Sequence, residues 1–168
     1  MDALESFVAG CLAVVDQPDA GERVAAAMQT LVADPARLTA EIDARRPEGG
    51  GAVIVHRSDE LTVLGLDVAA GFVSPAHNHT VWAVVGIYDG NEDNVFYRRT
   101  PAGIEETGRA VLHTGESLAL PADAVHRITN SGQATMKGLH VYGGDLFATS
   151  RSQWDDDTGE ELPFGTRR

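Results

Sequence analysis

The chain has 168 residues, the length of one ordinary domain, and this is enough to bury a hydrophobic core. Acidic residues outnumber basic ones by 25 to 13, and the net charge of −12 argues against anionic partners, both nucleic acid and acidic membrane surfaces. Cys11 is the only cysteine in the sequence, so an intrachain disulfide and a cysteine-rich zinc site are excluded.

The beginning of the chain does not have the pattern of a secretory signal peptide. Residues 1–5 lack the positive charges that open a secretory signal peptide, and no stretch approaches the roughly 20 apolar residues of a membrane helix. We therefore expect a cytoplasmic protein that does not associate with membranes. The sequence leaves open whether it is a monomer or a homodimer.

Residues 1–46 have the periodicity of helices. Apolar residues recur at steps of three and four along the first helix, at Leu4, Phe7, Val8 and Cys11. Asp19 followed by Glu22 has the spacing of a capping box, which predicts the start of a second helix. Asp34 before Pro35 predicts the start of a third. We expect this helical segment to pack on the rest of a single domain, as a lid or a brace.

The pattern changes after residue 46, because residues 45–51 are rich in glycine and interrupt the helical periodicity. From there to residue 168, short runs of strand-forming residues alternate with turn residues. The predicted strands are 53–56, 61–68, 79–88, 94–99, 108–113, 117–120, 126–129 and 135–142. Eight short strands in one unit favour a sandwich or a jelly-roll barrel, so we expect residues 47–168 to form a mainly β barrel.

Two histidines flank Asn78, and a third stands in a later predicted strand. Residues two apart on a strand face the same side, so the imidazoles of His77 and His79 can reach one point inside a barrel. The surrounding spacing resembles the two cupin motifs, first at Gly71, His77, His79 and Gly90, then at Gly115, Pro121, His126 and Asn130. The resemblance implies a cupin, that is, an RmlC-like jelly-roll or double-stranded β-helix, with one divalent metal on His77, His79 and His126.

The first motif departs from the usual pattern at Ala83. Most metal cupins carry a glutamate four residues after the second histidine, and alanine cannot replace it as a metal ligand. Three neutral imidazoles leave a bound metal with its full double charge, which favours an anionic, chelating substrate. Imidazole suits iron, zinc, copper and nickel alike, so the ligand type leaves the metal open.

Residues 56–154 resemble the thiol dioxygenases, the cupins that include cysteine dioxygenase and 3-mercaptopropionate dioxygenase. The resemblance is carried by residues 75–82, around the first two histidines, and by residues 140–145. Members of this family use three histidines in place of two histidines and a carboxylate, which accounts for Ala83. The resemblance implies Fe(II) on the three histidines and the oxidation of a small thiol carboxylate to its sulfinic acid with O2. In the purified protein, nickel or zinc can occupy the site in place of iron.

The resemblance also implies roles for three further residues. The family has a Ser-x-His-x-Tyr motif near the metal, and here His140 and Tyr142 match it while Gly138 stands in place of the serine. Tyr142 is expected to donate its hydroxyl toward substrate or oxygen, with His140 positioning it. Arg151 lies nine residues beyond Tyr142, at the spacing of an arginine that grips the substrate carboxylate in bacterial mercaptopropionate enzymes.

Other interpretations stay open at this stage. Arg57 is the nearest match, a poor one, to the arginine that cysteine dioxygenases use before the first metal motif. Arg98 and Arg99 point to opposite faces of a predicted strand, so one of them could line the pocket. The missing serine is compatible with a non-catalytic cupin that binds a metal or a small ligand. A cupin lyase or isomerase that uses zinc or nickel is a further alternative.

Overall fold

Three helices precede eleven strands in the computed structural model, which describes residues 2–48 and 51–166. The helices are α1 (Ala3–Leu12), α2 (Ala20–Val32) and α3 (Pro35–Asp43). No helix in these described ranges has both the length and the apolar character needed to span a membrane. Gly49 and Gly50, which belong to the predicted boundary between helices and strands, lie outside the described residues.

The strands follow one another closely after the helices. They are β1 (Val53–Arg57), β2 (Thr62–Val68), β3 (Ala76–Asn78), β4 (Ala83–Asp89), β5 (Asn91–Thr100), β6 (Gly103–His113), β7 (Ser117–Leu120), β8 (Val125–Thr129), β9 (Met136–Tyr142), β10 (Ser152–Trp154) and β11 (Glu161–Pro163). All eight predicted strands are present, most of them within a few residues of the expected bounds. The short strands β3, β10 and β11 were not predicted.

The helices begin where polar side chains bind their first backbone N–H groups. Asp2 accepts a hydrogen bond from the N–H of Glu5, whose side chain accepts one from the N–H of Asp2, and this capping box starts α1. Asp34 caps α3 as predicted. The capping box predicted at Asp19 is wrong, because the Asp19 carboxylate makes no cap hydrogen bond and pairs with Arg23 at 2.8 Å.

The strands form two antiparallel sheets that enclose a barrel. The five-stranded sheet has the order β1-β2-β9-β4-β7, and the six-stranded sheet has the order β11-β10-β3-β8-β5-β6. Side chains of the two sheets share apolar clusters, for example Leu112 of β6 with Ile87 of β4. This architecture confirms the predicted fold class, a mainly β jelly-roll of the cupin type with helices at its N-terminal end.

The three helices cover the outer face of the five-stranded sheet. Along β4, Val84 and Tyr88 share a cluster with the helices, whereas Val85 and Ile87 face the barrel interior. Helix α2 lies so close to β4 that a Cβ atom at Gly86 would stand 2.4 Å from the Cγ atom of Met28. The helices therefore support the sheet from outside. That residues 1–46 and 47–168 are separate parts of one domain stays a prediction.

One predicted strand is divided in two. The sequence predicts a continuous strand over residues 79–88, but the chain leaves the six-stranded sheet after β3 and enters the five-stranded sheet at β4. A turn between the sheets is required, and Thr80 adopts the left-handed conformation there, with φ of 61°. Its hydroxyl donates to the carbonyl oxygens of His79 and Ser150, at 2.7 and 3.1 Å.

Candidate metal centre

The side chains of His77, His79 and His126 meet at one point inside the barrel. All three are buried, and each offers a nitrogen atom within 4.8 Å of those of the other two. Their ring centroids lie 4.7 to 5.1 Å apart. Such a cluster could hold one metal ion.

The barrel brings the three rings together from two neighbouring strands and from the turn that follows one of them. His77 of β3 lies directly opposite His126 of β8 in the antiparallel register, so both side chains leave the sheet on the same face. His79 was expected on the same strand as His77, and this expectation is wrong because β3 ends at Asn78. The turn around Thr80 nevertheless directs the ring of His79 to the other two.

Hydrogen bonds fix the orientation of two of the rings. The Nδ1 atom of His77 lies 3.0 Å from the carbonyl oxygen of Pro75, and Nδ1 of His126 lies 2.9 Å from Oδ1 of Asn94. Both oxygens only accept, so each Nδ1 carries the proton and each Nε2 keeps its lone pair. The Nε2 atom of His126 is buried and has no hydrogen-bond partner among the described residues. A metal ion would satisfy it, so the residues present fit a metal.

Burial keeps the three imidazoles neutral. It lowers the pKa of His77 to about 4 and holds the pKa values of His79 and His126 well below the usual range. For His79 the neighbouring rings of His77 and His126 lower the pKa further. Neutral imidazole is the form that ligates a metal, so no proton has to be displaced near neutral pH.

No carboxylate takes part in the cluster among residues 2–48 and 51–166. Ala83, at the position where most metal cupins have a glutamate, is buried on β4 opposite Tyr142 of β9 and Leu120 of β7. Its methyl group packs in an apolar cluster with those two side chains. The site therefore offers three neutral nitrogen donors.

His140 and Tyr142 lie two residues apart on β9, so both side chains face the barrel interior. Nδ1 of His140 lies 3.3 Å from Oη of Tyr142, and the Tyr142 ring centroid is 5.0 Å from that of His79. Burial lowers the pKa of His140 to about 4 and raises the pKa of Tyr142, so both groups are neutral near pH 7. The structure thus brings both residues to the histidine cluster. Their catalytic roles stay predictions.

Gly138 has a structural consequence for His140. A Cβ atom at position 138 would lie 2.9 Å from Nε2 of His140, closer than such atoms approach. The His140 ring therefore occupies the space in which the serine of the related motif would begin. This buried Nε2 has no hydrogen-bond partner among the described residues, so His140 lacks a contact on the side where the related motif has its serine.

Arg151 is half-buried beside the cluster. Its guanidinium carbon lies 4.0 Å from the centroid of the Phe164 ring, and that ring is 5.5 Å from the ring of His77. Burial lowers the pKa of Arg151, and its positive charge contributes to the low pKa values of His77 and His79. In the part of the chain that the structure describes, no carboxylate pairs with this guanidinium. An anion entering the site would therefore meet an available cation.

The other arginines considered from the sequence are already paired. Arg57 holds the Asp145 carboxylate through two nitrogens, at 3.0 and 2.9 Å, and stacks on Phe147. Arg98 and Arg99 are exposed on β5, where they pair with glutamates at 2.7 and 3.0 Å. The structure places none of these three in the histidine cluster.

Sequence reasoning missed two neighbours of the cluster. Asn94 of β5 binds His126, and Phe164, which follows β11, contacts both His77 and Arg151. Asn94 carries a usable signal, because polar residues at positions 92 and 94 alternate along one face of a strand that borders the barrel interior. No such signal marks Phe164, because it lies far along the chain, directly after the short hairpin of β10 and β11 that the sequence does not predict.

The chain was compared with known families and structures. No family model matches it. The DMSP lyase DddQ from Ruegeria pomeroyi is 21% identical, with 56% of this chain and 43% of that chain covered and a TM-score of 0.45. An oxalate oxidase in complex with the substrate analogue glycolate is 17% identical, over 51% of this chain and 42% of that one, with a TM-score of 0.45.

A third similar structure is an RmlC-like cupin family protein with a double-stranded β-helix fold from Methanocaldococcus jannaschii. It is 12% identical, with 55% of this chain and 77% of that chain covered and a TM-score of 0.46. The chain spans less than half the length of the lyase and of the oxidase.

Proposed function

We propose that the chain is a mononuclear non-haem iron dioxygenase that converts a small thiol carboxylate, of the cysteine or 3-mercaptopropionate type, into its sulfinic acid. Both atoms of O2 pass to sulfur, so RSH and O2 together give RSO2H with no other product. The observation that carries the proposal is a combination of two features: three neutral imidazoles with no described carboxylate among them, and the guanidinium of Arg151 beside them, which no carboxylate of the described residues pairs with.

His77, His79 and His126 would hold the iron. Bound Fe(II) supplies affinity for a thiolate and the redox chemistry that activates O2. Because the three ligands are neutral, they leave the double positive charge uncompensated, and this charge favours the thiolate over the thiol. The ligand set of this chain therefore suits a substrate that arrives with at least one negative charge.

Arg151 would bind the carboxylate of that substrate. A guanidinium matches a carboxylate with two parallel N–H···O hydrogen bonds, and partial burial strengthens them relative to those in water. Phe164 supports the guanidinium from one face by a cation–π contact. The carboxylate and the thiol would thus be held at two points, which orients the sulfur toward the histidine cluster.

Tyr142 would act on the substrate side of the cluster. In this role His140 donates its Nδ1–H to Oη of Tyr142, and the phenol O–H is then available to the substrate or to oxygen. Burial keeps that O–H protonated, because it raises the pKa of Tyr142. His140 then fixes the hydroxyl in place without exchanging its own proton.

Oxygen consumption tests the proposal directly. Fe(II)-loaded protein is expected to consume O2 with 3-mercaptopropionate or cysteine, and to give a sulfinic acid that carries two heavy oxygen atoms when the gas is isotopically labelled. Cysteamine, which has the thiol but no carboxylate, serves as the matched control and should react far more slowly. Absence of thiol-dependent uptake with every small mercapto-acid would contradict the proposal.

Gly138 favours a second candidate, a cupin that binds a metal or a small ligand without oxidising it. The observation behind it is the buried Nε2 atom of His140, which has no hydrogen-bond partner among the described residues. Metal analysis of protein purified without added metal separates the candidates. Iron supports the oxygenase, and no metal supports a protein that binds a small ligand. Zinc or nickel is compatible with a lyase or an isomerase and also with a dioxygenase that lacks its iron, so oxygen uptake after loading with Fe(II) separates these two.

A further inference from the structure

A glutamate is fully buried inside the barrel next to the histidine cluster. Glu92 of β5 has no exposed surface, although carboxylates are seldom buried completely. Its Oε1 atom accepts a hydrogen bond from Nδ2 of Asn94 at 2.9 Å. Its Oε2 atom is buried without a hydrogen-bond partner among the described residues. Burial of an acid with half of its acceptors unused is costly, so a function should compensate for it.

Asn94 links this carboxylate to a member of the cluster. Its Oδ1 atom lies 2.9 Å from Nδ1 of His126, while its Nδ2 atom faces Glu92. Glu92 and Asn94 are two residues apart on β5, so both point inward. A continuous chain of two hydrogen bonds therefore runs from the carboxylate to the imidazole.

The donors and acceptors of this chain allow one arrangement. An ionised carboxylate only accepts hydrogen bonds, so it selects the orientation of the Asn94 amide in which the NH2 group faces Glu92. The amide carbonyl must then face His126 and accept from Nδ1–H. With its proton on Nδ1, His126 presents the lone pair of Nε2 to the centre of the cluster.

We propose that Glu92 is a positioning residue for the metal centre, which acts through Asn94 to fix the tautomer of His126 and to place a negative charge behind that ligand. The inference rests on the proposed metal centre and not on the identity of the thiol. It gives the site a carboxylate two hydrogen bonds away from the cluster, whereas the position of the usual carboxylate ligand is filled by Ala83. Partners of this kind orient ligating imidazoles and raise their basicity.

The electrostatics of the pair agree with this role. Burial raises the pKa of Glu92 to about 7 in the metal-free protein. The hydrogen bond from Asn94 opposes this effect, because it lowers the pKa. A dication at the cluster would favour the ionised carboxylate. Metal binding and ionisation of Glu92 therefore support each other.

Metal titration of the Glu92→Gln variant tests the inference. Glutamine keeps an oxygen that can accept from Asn94 but loses the charge and can turn its NH2 group toward Asn94. We expect Zn2+ to bind the variant about 10- to 100-fold more weakly than the wild type at about pH 8. Glu22→Gln is the matched control, because it removes the same charge from an exposed side chain of α2, outside the barrel, and its affinity should equal that of the wild type.

A second measurement needs no variant. The ring nitrogens of His126 in the metal-free wild type should show the Nδ1–H tautomer by nitrogen NMR. The Nε2–H tautomer, or equal affinity of the wild type and Glu92→Gln for Zn2+, would overturn the role of Glu92. Failure of the wild type itself to bind any divalent metal would instead overturn the proposed metal centre.

Discussion

At the scale of single residues, the charges around the cluster determine what the site can accept. The three imidazoles are neutral, and Arg151 contributes a cation that no described carboxylate neutralises. Glu92 adds a buried acid behind His126. The site therefore has a cation on one side and a buried acid on the other.

Replacement of Arg151 by glutamine should weaken binding of the carboxylate and leave the thiol chemistry in place. Hydrogen bonds to a charged group contribute about 1.5–3 kcal/mol, so we expect KM for 3-mercaptopropionate to rise roughly 10- to 100-fold. The rate with cysteamine, which has no carboxylate, should stay at its low wild-type level. Steady-state oxygen uptake measures both.

The matched control for that experiment is Arg98→Gln. Arg98 is exposed and pairs with Glu105, outside the cluster. Its loss should leave KM unchanged. An equal rise of KM in both variants would show that Arg151 acts through the general charge of the protein and not through a specific contact.

Glu92 should make the stability of the metal-free protein fall as pH rises. Its pKa is about 7 in the folded chain and near 4.5 when unfolded, so the folded state binds more protons between these values. Its contribution to the free energy of unfolding, about 3 kcal/mol, is fully present below about pH 4.5 and is lost as pH rises through about 7. The neighbouring groups that affect this ionisation are Asp93 on the same strand, Tyr142 on β9 and, through Asn94, His126 on β8.

Comparison of the wild type with Glu92→Gln isolates this effect. The two metal-free proteins should unfold at similar denaturant concentrations at about pH 4.5, and the variant should be the more stable at about pH 8. A variant that is less stable than the wild type at both pH values would show that Glu92 stabilises the fold in its ionised form. Glu92→Gln should thus stabilise the metal-free protein and yet weaken metal binding.

At the scale of elements, local sequence patterns predicted the long strands and missed the short ones. β7 has the bounds that the pattern gives, and β9 differs by one residue at its start. β3, β10 and β11 have three residues each, too few to show alternation. β3 pairs with β8 and β10, which are distant in sequence, and β11 extends the sheet by a short hairpin with β10. The turn after His79 also depends on the passage between two sheets, which no local pattern encodes.

The inward position of Glu92 was hidden for a related reason. Residues 89–94 are almost all polar, and the sequence predicts a turn over residues 89–91 and a strand only from Asn94. In the structure β5 starts at Asn91 and pairs with β6 along its whole length. Closure of the barrel, a tertiary effect, then buries the Glu92 side chain.

The contact between α2 and β4 should be sensitive to one methyl group. A Cβ atom at Gly86 would lie 2.4 Å from Cγ of Met28 and 2.9 Å from Cγ1 of Val32, so these side chains or the helix that carries them would have to shift. We expect Gly86→Ala to lower the free energy of unfolding by about 1–3 kcal/mol. Chemical denaturation measures the change.

Gly108→Ala provides the control for this substitution. Gly108 lies in β6, and an added Cβ atom would meet nothing within 4 Å. Its effect on the free energy of unfolding should lie within about 0.5 kcal/mol of zero. Equal losses in the two variants would show that glycine conformation, and not the packing of α2, determines the result.

At the scale of the whole molecule, the jelly-roll topology explains how distant residues form one site. β3 and β8 of the six-stranded sheet contribute His77 and His126, while β9 of the five-stranded sheet contributes His140 and Tyr142 from across the barrel. The helices lie on the outer face of the five-stranded sheet, away from the barrel interior. Motif spacing predicted that the three histidines would meet, but which partners orient them depends on barrel closure.

Anomalous diffraction from crystals of the Fe(II)-loaded protein tests the central claim most directly. The account predicts a single iron peak bonded at ~2.1 Å to one nitrogen each of His77, His79 and His126, with no protein carboxylate in contact. A peak elsewhere, a carboxylate bound to the iron, or no iron at these three imidazoles would contradict it.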